Sequence, residues 1–119
     1  QMVALYNGMG GGSAAAIGGG ALGVAMDVSD ETAVQAGFAA AADRFGGIDV
    51  LVNNAAFRGK ANTMDRSVAE WDIMRAVCTR GSFLCLREAV KQMRGRGGGA
   101  VVNISSMSAQ HPTIFPNMH

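Results

Sequence analysis

The sequence predicts an α/β fold on a parallel sheet, and three observations carry that prediction. Short apolar runs without polar alternation recur at 22–26, 48–52 and 100–104, the pattern of strands covered on both faces. Between them lie two stretches with apolar residues every three or four positions, the period of an amphipathic helix. Each run exits into polar residues: Asp27 after the first, Asn53-Asn54 after the second, Ser105-Ser106 after the third. Strand–helix–strand–helix–strand with two-faced strands calls for right-handed crossovers and a binding crevice at the carboxyl ends of the strands.

The elements follow in order. Val3-Ala4-Leu5-Tyr6 reads as a short strand, and Gly10-Gly11-Gly12 and Gly18-Gly19-Gly20 after it are strong breakers. Ala14 to Ile17 reads either as the last turn of a helix closed by Gly18 or as part of a low-complexity Gly/Ala segment. The residues leave both readings open. Ser29 is the expected N-cap of the first clear helix, with Asp30 and Glu31 in its first turn and Gly46-Gly47 stopping it. Val34, Phe38, Ala41 and Phe45 form its core face.

A loop through 58–64 leads to Ser67-Val68-Ala69-Glu70, a capping box that opens a long helix. Its expected core stripe is Trp71, Met74, Cys78, Ser82, Cys85, Ala89 and Met93, with a narrow waist at Gly81-Ser82. Lys91, Arg94 and Arg96 complement its C-terminal end, and Gly97-Gly98-Gly99 terminates it. A second face carries Val68, Ile73, Val77, Leu84 and Val90, more apolar surface than water usually meets, which points to self-association through a two-fold axis. The expected organisation is one partial domain over 1–119: an irregular Gly-rich remnant at 1–20, a core at 21–106 and a loop at 107–119.

Composition narrows the function. With 49% hydrophobic and 16% charged residues the chain is a core former, not a disordered one. A net charge of +1 leaves no footprint for nucleic acid or an anionic membrane, and no apolar run reaches the length of a membrane span. Cys78 and Cys85 stand inside a helical pattern without His neighbours, so neither a disulfide framework nor a metal site is expected, and a reducing cytoplasm fits.

The particular residues reach further. Asp27-Val28, Asn53-Asn54-Ala55-Ala56 and Val102-Asn103-Ile104-Ser105-Ser106, in this order and spacing, resemble the short-chain dehydrogenase/reductase family. Trp71-Asp72 through Val77, Gly81, Phe83 and Leu84 is similar to that family's long central helix, and the resemblance covers about residues 21–110. It implies a Rossmann-type doubly wound parallel sheet, here partial with three clear strands, and an oxidoreductase. NAD or NADP would be its cofactor, and a small carbonyl or alcohol its substrate. It implies that Asp27 and Val28 contact the adenine ring, that Asn54, Ala55 and Ala56 form a backbone wall beside the adenosine ribose, and that Ile104 lines the nicotinamide side. Ser106 matches the catalytic serine, whose hydroxyl stabilises charge developing on the substrate oxygen. It further implies that the long helix packs against its mate, so a homodimer or homotetramer is expected of the full-length parent.

Departures from the family pattern are equally readable. Asn7-Gly8-Met9-Gly10-Gly11-Gly12 keeps two glycines at the spacing of the pyrophosphate fingerprint, Gly8 and Gly12, but Ala14 stands where the last glycine is expected. Only eighteen residues lie between Gly8 and Asp27, too few for a helix, a strand and a second helix. Tyr6 is the single tyrosine, so Tyr-x-x-x-Lys is absent from these residues; His111 and His119 read as loop residues, and Cys78 occupies the helix position usually held by Asn. The expectation is therefore an NAD(P)-dependent dehydrogenase whose chain as given is inactive alone. The alternative is a non-catalytic nucleotide-binding or dimerising remnant.

Overall fold

In a computed structural model of the chain, the described residues are 3–6, 20–57, 59 and 64–106. Strand β1 (Val3–Tyr6) pairs in parallel with β2 (Leu22–Ala25), Val3 level with Leu22. Helix α1 (Glu31–Phe45) leads to β3 (Val50–Asn53). The long helix follows as α2 (Val68–Arg75), a π-helical segment (Ala76–Gly81) and α3 (Ser82–Arg94). Strand β4 (Ala100–Asn103) then pairs in parallel with β3, Val50 level with Ala100.

All strand pairs are parallel, as the two-faced apolar runs predicted, but they form two ladders, β1–β2 and β3–β4, and not one continuous sheet among the described residues. A helix layer joins the ladders: α1 packs on β2, α3 packs on β3, and α1 and α3 pack on each other. The core lies beneath these helices and draws Met26 and Val28 from the exit of β2, Val34, Phe38 and Ala41 from α1, Leu51 from β3, and Leu84, Cys85, Ala89 and Met93 from α3. Burial on both faces is not realised. Val50, Val52, Val101, Val102 and Ile104 are exposed, because the helix layer packs on one face of β3 and leaves β4 largely open.

Local chemistry explains the element ends. The N-cap of α1 is Asp30, one residue beyond the expected Ser29: Asp30 Oδ1 accepts from the backbone N–H groups of Thr32 at 2.8 Å and Ala33 at 3.2 Å. Ser29 is engaged with Asp27 instead. Gly46 closes α1 at φ 79°, a left-handed C-cap that glycine adopts without a Cβ penalty. Ser67 caps α2 by accepting from the Glu70 N–H at 3.2 Å.

The stripe expected on the long helix shifts in its middle. Met74, Cys85, Ala89 and Met93 are buried as expected, but Trp71 is exposed and Cys78 and Ser82 are half-buried, while Val77, Gly81 and Leu84 take the inside positions. The wider π turn is the cause, since it changes the residues per turn and so the phase of the face. The Ser82 N–H bonds to Thr79 O, and its hydroxyl donates to Cys78 O at 2.8 Å, serving a carbonyl that an α-helical N–H would otherwise reach.

Candidate functional site

The carboxyl ends of β2 and β3 converge on one cleft of about 320 Å³. Val28 and Met26 come to it from the β2 exit, Asn54, Ala55 and Ala56 from the β3 exit, and the π segment and the start of α3 close it with Val77, Gly81, Ser82 and Cys85. Four of the expected site residues, Val28, Asn54, Ala55 and Ala56, thus share one cavity. Asp27 stands exposed next to it. Gly8 and Gly12 lie outside the described residues.

The β4 exit is tied to the β3 exit by backbone and side chain. Asn53 and Asn103 are level in the ladder, and the Asn53 Nδ2 donates to Asn103 Oδ1 at 2.8 Å. One step further the Ile104 N–H donates to Asn53 O at 2.9 Å, fixing Ile104 beside Asn54. Ile104 is exposed and Ser106, two residues on, is half-buried. Neither lines the cleft itself, so the site is a row of strand exits and not one enclosed cavity.

Gly81 is essential to the cleft's shape. A Cβ there would lie 2.8 Å from Val28 Cγ2 and 3.1 Å from Val28 O, so only glycine lets the helix approach the β2 exit this closely. The waist seen in the sequence at Gly81-Ser82 is this contact. Asp27 Oδ1 accepts two hydrogen bonds from Ser29, from its N–H and its hydroxyl, both 2.8 Å. Sequence reasoning missed that pair, although an Asp followed two residues later by Ser is the signature of an Asx turn. It also missed Met26, Val77 and Cys85 as cleft walls, since nothing in periodicity separates core from cavity lining.

Chemically the cleft is apolar with a polar rim, at the small end of ligand sites. Burial pushes the Cys85 thiol up, away from thiolate character. No group of residues suited to hold a metal ion is present among the described residues, and no described helix is long and apolar enough to cross a membrane.

Parallel strands under a helix layer, with a crevice at their carboxyl ends, define an α/β protein of the Rossmann class. Comparison with known proteins gives the family. The family model for short chain dehydrogenases matches residues 12–118, and the chain belongs to that family. It is 42% identical over 87 residues to a D-threitol dehydrogenase from Mycolicibacterium smegmatis, covering 73% of this chain and 34% of that protein. It is 45% identical over 82 residues to a levodione reductase from Leifsonia aquatica, covering 68% and 31%. A crystal structure described as a short-chain alcohol dehydrogenase from Sinorhizobium meliloti superposes with a TM-score of 0.73 at 35% identity, over 82% of this chain and 38% of that one. The chain thus spans about a third of the length of the relatives it matches.

Proposed function

We propose that the full-length protein transfers hydride between NAD or NADP and a small carbonyl or alcohol substrate. The observation that carries this reading is the shared cleft at the β2 and β3 exits, with the β4 exit bonded beside it. On this reading the Asp27 carboxylate accepts from the adenine amino group and Val28 packs against the ring. Asn54, Ala55 and Ala56 form the wall by the ribose, their small side chains allowing close approach. The cofactor supplies or takes the hydride; Ile104 lines its nicotinamide side. Ser106 donates its hydroxyl to the substrate oxygen, where a preplaced donor stabilises the charge that develops.

The strand pairing supports a place for the cofactor's remaining parts. In the doubly wound order 3-2-1-4-5-6, strands 2 and 3 pair, strands 4 and 5 pair, and strand 1 separates them. The β1–β2 and β3–β4 ladders correspond to those two pairs, and a central strand of the full-length protein would complete the sheet. On this mapping β1 is not the strand that precedes the pyrophosphate fingerprint, so Gly8 and Gly12 would serve the ribose end of the cofactor in place of the pyrophosphate role that their spacing suggests. The outer helix face, with Val68, Trp71, Ile73, Phe83 and Leu86 exposed, is the surface we assign to a homodimer or homotetramer contact. A reducing cytoplasm suits the two unpaired cysteines.

The test is steady-state oxidation of NADH and NADPH by the full-length protein against a panel of carbonyl substrates. Ser106→Ala is expected to cost about 2–4 kcal/mol in kcat/KM. An unchanged rate would remove Ser106 from the mechanism. No turnover with any substrate, with a stop codon found in the gene directly after these residues, would favour a non-catalytic remnant.

A further inference from the structure

The π-helical segment docks on the Asp27–Ser29 loop. Arg80 Nη2 donates to Ser29 O at 3.2 Å, and Gly81 beside it is pressed against Val28. Ser29 in turn holds Asp27 Oδ1 from two sides, N–H and hydroxyl, each at 2.8 Å. Asp27 Oδ2 accepts no hydrogen bond among the described residues. About two helix turns further along, Arg87 pairs with Glu31 at the start of α1, so the loop and the helix after it are both fastened to the long helix.

We propose that Ser29 and Arg80 are positioning residues that make Asp27 selective for the adenine base, by locking its carboxylate so that only Oδ2 faces the ligand. The inference rests on the adenine-contact reading of Asp27 given above. An unrestrained carboxylate is a poor discriminator. Facing hypoxanthine, whose C6 oxygen replaces the amino group, it can rotate or slide to accept from the ring N1–H. A carboxylate pinned through Oδ1 cannot follow, and an acceptor facing an acceptor is penalised. Ser29 does the pinning, and Arg80 fixes the Ser29 backbone from the far side. A π turn at a functional site is a recurrent arrangement, and here the π segment carries Arg80, which bonds this loop.

The experiment measures the dissociation constants of the tighter-binding reduced dinucleotide, NADH or NADPH, and of its hypoxanthine analogue for the full-length protein. The preference is their ratio. Ser29→Ala, which removes one of the two donors, is expected to lower the preference about three- to tenfold, and Arg80→Met to lower it by a smaller factor. Ser29→Thr retains both donors and is expected to restore the preference. A merely structural role would weaken both ligands alike and leave the ratio unmoved, which would overturn the proposal. Asp27→Ala separates the two levels. If it abolishes the preference while Ser29→Ala does not, the adenine contact stands and the positioning role fails. If Asp27→Ala leaves the preference intact, both fail.

Discussion

Arg96 grips Asp49 with two parallel hydrogen bonds, Nε to Oδ1 at 2.7 Å and Nη2 to Oδ2 at 3.1 Å, and donates a third from Nη1 to Gly46 O at 2.9 Å. One guanidinium just past α3 thus holds the left-handed cap of α1 and the lead-in to β3. Its hydrogen bonds hold the Asp49 carboxyl below its ordinary value. A depressed folded value means that the contribution is fully present above the unfolded value, about 3.9, and is lost as pH falls through the folded one. Melting temperatures of the wild type and Asp49→Asn are expected to differ by a constant amount from pH 7 to about pH 5 and to converge below pH 4. A gap that persists undiminished into acid would mean the ion pair is not its source.

Gly81→Ala is expected to destabilise the protein by about 1–3 kcal/mol, although alanine is the better helix former. The new methyl meets Val28 on both its side chain and its carbonyl oxygen, and neither can swing away. Urea midpoints of the two proteins measure it. A stabilised variant would show that the π segment and the β2 exit are not in close contact.

Neighbouring residues on α3 should respond oppositely to a charge. Leu84 is 5% exposed and part of the core, so Leu84→Glu is expected to unfold the chain and cannot report on assembly. Phe83 is 56% exposed on the outer face. Phe83→Glu is expected to leave the melting of a subunit nearly unchanged and to shift the full-length protein toward smaller species in light scattering. Retention of the oligomer in that variant would clear this face of the contact.

Cys85 is buried with a raised thiol value, while Cys78 is half-buried. In native protein at pH 8, a disulfide reagent is expected to titrate at most one thiol rapidly. The Cys85 thiol should react only at the rate of opening or unfolding. Rapid modification of both thiols would show that the helix layer does not seal Cys85.

Much of this was legible in the residues because it depends on local chemistry. The parallel strands, the glycine stop at Gly46, the Ser67 cap and the Gly81 waist each follow from neighbours in sequence. The placement of Val77 and Leu84 did not, since a π turn has no periodic signature and it alone rotates the helix face between Met74 and Cys85. Asp30 displaced Ser29 as cap because Ser29 had a competing partner in Asp27, a choice between two nearby hydrogen bonds that propensity cannot rank. The open second face of β3 and β4 was likewise hidden, because an apolar run shows what a strand requires and not what covers it.

The two ladders also differ in how far the chain must travel to close them. Val3 meets Leu22 nineteen positions on, whereas Val50 meets Ala100 fifty positions on. Treated as bare chain, the longer circuit costs about 0.9 kcal/mol more in closure entropy. The nearer pair therefore has the easier search, and on a nascent chain it is complete in sequence long before β4 exists. The β3–β4 ladder, which leads into Asn54 and Ile104, must wait until α3 has emerged, so of the two ladders it is the later to be assembled.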